Sequence, residues 1–371
     1  MPTSLRVLYL SIMQETIRLG IAGGGIGRRH TIAFRNIEGI ELTAFSDPSE
    51  ETRKRMQESF GFSHTFADFT EMVQSGKIDA VVVATPTHLR SKHVSEALEA
   101  GLHTLGEMPP CGNYSEMSRI ATAASLIGKV YMFASHHRFA PEIAEAHKQI
   151  ANGDAGDIFH ADTKWQWAWW PYDDDNWRGD SDLSGGALLD MGASLIDAAW
   201  YAMGSPSPVE AMATQFSHFM KSAVKDPERL AEDTSTGMVR FKNGASLNYS
   251  VMCFSHIANE RNGWNSPEVR ESHIYGIKAS YDLENAERVA VGEDKQIERD
   301  TYAKKLGLPQ LLSLQAKEFI SSIREEREPI NSAKEALELM KMMDALKKSA
   351  KEKEGVPIKV ERSLDDLFSG M

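Results

Sequence analysis

The sequence predicts an α/β protein with two domains. Strand and helix signals alternate from residue 17 to residue 135, which is typical of a doubly wound parallel sheet with helices on both faces. After Pro141 several strands follow one another with hairpin turns between them, which indicates a second α/β domain with a mainly antiparallel sheet. The length of 371 residues is sufficient for two domains that each have their own core.

The first predicted strand leads directly into a cluster of glycines. The apolar run Ile17–Ala22 is typical of a buried parallel strand, and a helix that begins after it would direct its amide protons and its dipole toward a bound pyrophosphate. Two alignments with the dinucleotide-binding motif are open, one starting at Gly23 and one starting at Ala22. A plain turn is the alternative interpretation. The expected cofactor-binding residues of this turn are Gly23, Gly24, Gly25, Ile26 and Gly27.

An acidic residue follows the second predicted strand, residues 41–46. Asp47 lies 20 residues after Gly27, where an acid binds the ribose hydroxyls of a dinucleotide. Because its charge would repel a 2′-phosphate, NAD is preferred over NADP as the cofactor. The alternative is that Asp47, Pro48 and Ser49 only cap the next helix.

The later strands of the first half end in further candidate residues. The run 80–84 is apolar throughout, as expected for a strand buried on both faces. Ligands of open parallel sheets bind at the carboxyl ends of the strands. The residues expected at the cofactor are therefore Thr85, Pro86, His88, Glu107 and Met108. For His88 an ordinary place at a helix start is the preferred interpretation.

Composition excludes some classes of partner. Lys and Arg number 41 against 53 Asp and Glu, and the net charge of −12 argues against nucleic acid and anionic membranes. No apolar run approaches the roughly 20 residues that cross a bilayer, and residues 1–15 are interpreted as an N-terminal extension rather than a signal peptide. The only cysteines, Cys111 and Cys253, suit a reducing compartment, so a cytoplasmic location is expected.

The second half begins with a tryptophan-rich strand. Trp165, Trp167 and Trp169 alternate and so share one face, which suits a sugar ring, a dimer interface or a core.

A helix is predicted over residues 185–203. It carries a polar line on one face, which consists of Asp190, Ser194, Asp197 and Tyr201. Strands are predicted over 209–218, 236–241, 245–254 and 273–283, and helices over 309–325 and 333–351.

Together these segments resemble the glucose-fructose oxidoreductase, inositol dehydrogenase and rhizopine catabolism (Gfo/Idh/MocA) family. The resemblance extends over residues 17–358. Besides the glycine turn with His30, it is carried by 78–86 (IDAVVVATP), 97–103 (ALEAGLH), 107–109 (EMP), 138–141 (RFAP), 185–192 (GGALLDMG) and 275–280 (YGIKAS).

The resemblance implies a division of the chain and a class of ligand. It implies an NAD-binding Rossmann domain over residues 16–137 and a substrate-binding and oligomerisation domain over 138–371, with a large open, mainly antiparallel sheet. Relatives associate through that sheet, so a homodimer or homotetramer is expected. The implied substrate is a small carbohydrate molecule, namely a sugar, a glycoside or a cyclitol derivative.

The family's usual catalytic groups are a Lys, an Asp and a His, and two of the three differ here. Met108 stands at the Lys position and Ser194 at the His position, while Asp190 is present. Neither a thioether nor an unassisted hydroxyl can act as a general base near neutral pH.

Three explanations of these differences are open. Another residue could supply the base, with His136 and His137 favoured over Tyr172, Asp190 and His88. The protein could instead be a glycosidase or lyase that uses transient oxidation with retained NAD. The third explanation is a non-catalytic binding protein.

Substrate contacts are expected from both halves of the chain, and no metal site is expected, because the acidic run 173–175 does not have the spacing of a calcium loop. The expected substrate-binding residues are Met108, Arg138, Trp165, Tyr172, Trp177, Arg178, Asp190 and Ser194.

Overall fold

The computed structural model describes residues 16–169, 177–218, 226–256 and 268–358. Its first sheet has six parallel strands in the order β3-β2-β1-β4-β5-β6. The strands are β1 (Ile17–Ala22), β2 (Ile40–Ser46), β3 (His64–Phe66), β4 (Ala80–Val83), β5 (His103–Gly106) and β6 (Tyr131–Phe133). This is the strand order of the doubly wound dinucleotide-binding fold, so the prediction for the first half is confirmed.

The helices of the first domain begin and end at the residues that favour such positions. Ser49 and Asn113 cap two of them through their side chains, and Gly61 and Gly128 end the same two helices in the left-handed conformation. The helices are Gly27–Phe34, Glu50–Phe60, Phe69–Gln74, Thr87–Glu99 and Tyr114–Ile127. The fourth begins at Thr87, directly after Pro86.

The second sheet has nine strands in the order β14-β13-β12-β11-β7-β10-β9-β8-β15. All its neighbours are antiparallel except β7 and β10, which run parallel. The strands are β7 (Ile158–Trp167), β8 (Pro208–Phe216), β9 (Thr234–Phe241), β10 (Ser246–Met252), β11 (Glu268–Gly276), β12 (Ala279–Asp282), β13 (Glu287–Val291), β14 (Ile297–Thr301) and β15 (Val356–Pro357).

The prediction of one strand over residues 273–283 is wrong. The chain turns at Ile277 and Lys278, and β11 and β12 form an antiparallel pair. The alternating pattern continues across the turn in sequence and so conceals it. A hairpin turn joins β9 and β10, in which Gly244 has a φ of +89° and the Phe241 carbonyl accepts the Gly244 amide.

The predicted helix over residues 185–203 is divided into unlike parts. Gly185 and Gly186 both have positive φ, a π-helical turn occupies Leu188–Gly192, and the α-helix proper is Ala193–Ala202. The other helices of this half are Pro141–Ala151, Ser181–Ser184, Leu308–Arg324 and Ala333–Glu352. Among the helices in the described ranges, none has the length and apolar character required to cross a membrane.

A helix from the last third of the chain packs on the first domain. Leu308–Arg324 lies against Gly27–Phe34, and the rings of Phe319 and Phe34 meet edge to face at 6.2 Å. Leu312 and Ile320 share one buried cluster with residues of β1 and β2. This helix therefore contributes to the core around the first sheet, although it lies far along the chain.

Candidate functional site

The glycine turn ends in an uncovered helix N-terminus. The helix Gly27–Phe34 is preceded by Ile26 and has no side-chain cap. A Cβ built on Gly25 would meet no atom within 4 Å. Backbone amides and the positive end of the helix dipole therefore face open space, as the binding of a pyrophosphate requires.

Two glycines of the turn are needed for close packing. Gly23 has a φ of +94°, and a Cβ there would lie 2.5 Å from the Ala84 carbonyl oxygen. A Cβ on Gly27 would lie 3.2 Å from a methyl group of Ile21, so this residue brings the helix close to β1. Since close packing of helix and strand is the role of the third glycine in the motif, the structure favours the alignment that starts at Ala22.

Asp47 lies beside the glycine turn. One of its carboxylate oxygens accepts the Gly24 amide at 2.8 Å, and the other accepts the Ser49 amide at 2.9 Å. The cap of the next helix is provided by Ser49, whose hydroxyl accepts the Thr52 amide. Asp47 is half-buried at the turn. Its contact with the Gly24 amide is additional to any role in beginning the next helix.

A buried arginine connects the ends of β4 and β5. The Arg90 guanidinium donates to the carbonyl of Thr85 at 2.7 Å and to that of Pro109 at 2.5 Å. Burial lowers the pKa of Arg90, and the negative charges of Glu107 and Asp190 act against that shift. Arg90 was not predicted from the sequence, because its partners are backbone carbonyls, which any residue provides. His88, in contrast, is exposed in the first turn of its helix.

The carboxyl ends of β1, β4 and β5 form the edge at which ligands of such sheets bind, here called the crevice, and Glu107 is buried at this edge. Its carboxylate lies 2.5 Å from His30 Nε2 and accepts the Met108 amide at 2.8 Å. Burial alone would raise the pKa of Glu107, but the hydrogen bond to His30 and the nearby positive charges hold it below its usual value. Glu107 therefore fixes the turn that carries the half-buried Met108.

His136 and His137 follow β6 in a short 3₁₀ helix. Their rings are 4.3 Å apart. Burial lowers the pKa of His136 to about 4, and burial with the neighbouring His136 and Arg270 holds the pKa of His137 well below its usual value. Both side chains are therefore neutral at neutral pH, and both are weak bases.

Acid is expected to destabilise the protein through His136. An unfolded histidine takes up its proton near pH 6.5, whereas the folded His136 does so only at about pH 4. The contribution to stability is thus complete above about pH 6.5 and is lost as the pH falls toward 4, by on the order of 3 kcal/mol. Urea unfolding measured across this range should show a weaker pH dependence in His136→Gln than in the wild type. Equal pH dependence in both proteins would contradict the assignment.

Asp190 and Arg178 form the polar centre of the second domain's side of the crevice. Arg178 Nε lies 3.1 Å from Asp190 Oδ2, and the guanidinium carbon lies 4.4 Å from the centre of the Trp177 ring. Both members of the ion pair are half-buried, and Ser194 follows one turn later on the helix, also half-buried. The charge of Asp190 acts on the pKa of Arg90, and the helix Thr87–Glu99 contacts the short helix Ser181–Ser184, so this segment lies near the carboxyl end of β4.

Arg138 is not available to a substrate, which corrects the expectation from the sequence. Its side chain is fully buried and donates to Asp197 at 2.6 and 3.0 Å, and also to Glu335. Asp197 of the predicted polar line is therefore paired in the interior and does not face a cleft. Asp190 is the member of that line that forms an ion pair beside the crevice.

Trp165 is half-buried, and Arg270 covers one of its faces. The guanidinium carbon of Arg270 is 3.7 Å from the centre of the ring, and the indole donates to Glu268 at 2.8 Å. Trp167 is buried beside it. The face that a sugar ring could stack on is thus reduced to the side opposite Arg270.

Part of the predicted site lies outside the described residues, namely Tyr172 and the acidic run 173–175. Within the described ranges, no group of three or more His, Cys, Asp or Glu side chains is arranged to hold a metal ion.

Two family models match the chain. The model described as the NAD-binding Rossmann fold of the Gfo/Idh/MocA oxidoreductase family matches residues 17–135. The model described as the C-terminal alpha/beta domain of the same family matches residues 147–360. The two matches correspond to the two sheets.

Individual relatives have low sequence identity to this chain, but the alignments cover most of its length. The chain is 28% identical over 251 residues to D-glucoside 3-dehydrogenase of Escherichia coli, covering 64% of this chain and 70% of that one. It is 25% identical over 366 residues to myo-inositol 2-dehydrogenase of Thermotoga maritima, covering 92% and 98%. A solved levoglucosan dehydrogenase in complex with NADH and levoglucosan has the same fold, with a TM-score of 0.81 at 22% identity over 93% of this chain and 100% of that one.

Proposed function

Because the chain belongs to the Gfo/Idh/MocA oxidoreductase family, we propose that it is an NAD-dependent enzyme that oxidises a hydroxyl-bearing carbon of a sugar, glycoside or cyclitol. The observation that supports this most directly is the ion pair between Asp190 and Arg178, which lies where the second domain meets the cofactor edge of the parallel sheet. The names of the relatives support the class of substrate.

The residues present fit an NAD molecule. The open helix N-terminus at Gly27 suits the pyrophosphate, and Asp47 beside Gly24 suits the ribose hydroxyls. The walls formed by Thr85 and Met108 would hold the nicotinamide end. When bound, NAD supplies the acceptor for a hydride.

The chain's own residues would move the proton. With Met108 and Ser194 unable to act as bases, we assign the hydroxyl proton to the Asp190 carboxylate. Arg178 beside it would stabilise the negative charge that develops on the substrate oxygen. His136 and His137 become less favoured than the sequence suggested, because their low pKa values give them no advantage over a carboxylate.

The reaction can be tested with NAD and a panel of D-glucosides, levoglucosan and myo-inositol. Net formation of NADH, followed by its absorbance, supports the dehydrogenase. Cleavage detected by mass spectrometry without net NADH would favour a glycosidase or lyase that retains its cofactor, which the differences at Met108 and Ser194 make the second candidate. If neither occurs and calorimetry detects no NAD binding, the protein is a non-catalytic family member.

Asp47 is expected to determine the choice between NAD and NADP. In Asp47→Asn the repulsion of a 2′-phosphate is removed and one acceptor for the ribose is lost. The Kd for NAD should therefore rise about ten-fold while the Kd for NADP falls. Calorimetric titration of both cofactors checks this, with Glu50→Gln as the control because Glu50 is an exposed carboxylate at the start of the next helix. Unchanged preference in Asp47→Asn would remove Asp47 from the cofactor site.

Assembly and location are also part of the proposal. Met212 and Phe216 project from β8 with 53% and 62% of their surface exposed, so the open sheet offers apolar surface for a second copy. We expect a homodimer or homotetramer, and a monomer in light scattering would contradict this. The buried free thiols of Cys111 and Cys253 agree with a cytoplasmic location.

A further inference from the structure

Glu232 holds the start of the π-helical turn that carries Asp190. Its side-chain oxygen Oε1 accepts the Leu188 amide at 3.0 Å and the side-chain amide of Gln215 at 3.3 Å. Its own carbonyl oxygen accepts the Ala187 amide at 2.9 Å. Two successive amides at the beginning of the turn are thus bound by the same residue.

The chain leaves room for this carboxylate by means of a glycine. Gly186 has a φ of +81°, and a Cβ at that position would lie 1.6 Å from Glu232 Oε2. Any side chain at residue 186 would therefore displace the carboxylate from the turn. Gly186 leaves space for the Glu232 carboxylate, and the Leu188 amide binds that carboxylate, so both observations place it at the start of the turn.

The held turn leads directly to the proposed reaction centre. Asp190 is the third residue of Leu188–Gly192, and its position determines the ion pair with Arg178. We propose that Glu232 is a positioning residue that places the Asp190 carboxylate by fixing the Leu188 amide. The catalytic part of this inference rests on the function proposed above, whereas its geometric part does not.

The surroundings of Glu232 make the contact sensitive to pH. The charges of Lys347 and Asp233 act on the pKa of Glu232. The charge of Glu232 in turn acts on the pKa values of Tyr249 and Cys253. Burial raises the pKa of Glu232 to about 7, while the Leu188 amide and Lys347 oppose the shift. Because an ionised carboxylate accepts the amide more strongly, the contact strengthens as the pH rises through about 7.

Three variants test the inference by kinetics with the sugar of the panel that the wild type oxidises fastest. Glu232→Ala should lower kcat by about ten-fold to a hundred-fold with little change in the Kd for NAD, because a small displacement of a reacting group is costly. Glu232→Gln keeps a neutral acceptor for the amide, as the protonated carboxyl does, so its kcat should equal that of the wild type below pH 7 and should lack the wild type's rise near pH 7. Glu142→Gln is the control, since burial also raises the pKa of Glu142, which lies in a different helix of the second domain. A rise near pH 7 that persists in Glu232→Gln, or an alanine variant as active as the control, would overturn the inference.

Crystal structures separate this inference from the proposed function. In Glu232→Ala crystallised with NAD, the turn Leu188–Gly192 should shift and the contact between Arg178 and Asp190 should be lost or lengthened. This outcome is expected even if no sugar on the panel is oxidised by the wild type. A turn and an ion pair that superimpose on those of the wild type would overturn the positioning role regardless of the activity results.

Discussion

Replacing Arg138 by alanine is expected to lower the free energy of unfolding by about 3–5 kcal/mol. The guanidinium is completely buried between Asp197 and Glu335, which lie on two different helices of the second half. Its carbon also lies 4.7 Å from the centre of the Tyr201 ring and 5.0 Å from that of Phe133. Removing it leaves the buried Asp197 carboxylate without a positive charge beside it and with the Ser135 hydroxyl as a remaining donor, and an uncompensated buried charge is the costly part of breaking such a pair.

Urea unfolding of Arg138→Ala against wild type measures this effect. Arg240→Ala provides the control, because Arg240 forms an ion pair of 3.0 Å with Glu210 at a site where 59% of the arginine side chain is exposed. Exposed pairs contribute about 0–1 kcal/mol. If the two variants lose similar stability, the buried network does not connect the helices as described.

Replacing Asp190 by asparagine is expected to have the largest effect on activity. The variant keeps the shape of the side chain and a hydrogen-bond acceptor toward Arg178, but it can no longer accept a proton. The kcat should therefore fall by about 10²–10⁴-fold, the range for loss of a general base. Steady-state formation of NADH with the best substrate of the panel measures kcat, and calorimetry measures the binding of NAD separately.

Two further variants make this result specific. Asp182→Asn changes a carboxylate on the preceding short helix that is 66% exposed, and it should retain nearly all activity. His136→Gln should lose less than about ten-fold, because a histidine with a pKa near 4 is a poor proton acceptor. A larger loss in His136→Gln than in Asp190→Asn would transfer the role of the base to His136.

Local sequence signals were sufficient for most of the first domain. The run at Ala80–Val83, the cap at Asn113 and the glycine at Gly128 each act on neighbouring residues, so each can be identified from a few letters. The turn between β11 and β12 was not predicted, because Ile277 and Lys278 at its centre are neither glycine nor proline. Strands β13 and β14 were also missed. The residues of β14 are all exposed and the first four of β13 are all half-buried, so neither strand shows the alternation of buried and exposed residues that marks a strand in sequence.

Some residues of the candidate site were also identified from the sequence, and others were not. Asp47 and Asp190 were identified because each follows a recognisable segment, and the structure places them beside the glycine turn and Arg178. Arg138 was assigned to the substrate on a motif alone, although its partners are 59 and 197 residues away in the chain. Arg90 and Glu232 were missed because the carbonyls and amides that they bind carry no sequence signature.

The sequence by itself determined the fold family and the nucleotide-binding turn, because these depend on residue types at short spacing. The tertiary structure decided which polar side chains face the crevice and which are paired in the interior. It showed that Asp190 meets Arg178 beside the crevice while Asp197, on the same predicted face, is buried against Arg138. The physical reason is that burial and charge pairing are properties of groups far apart in the chain, and they arise only when the helices and the two sheets pack together.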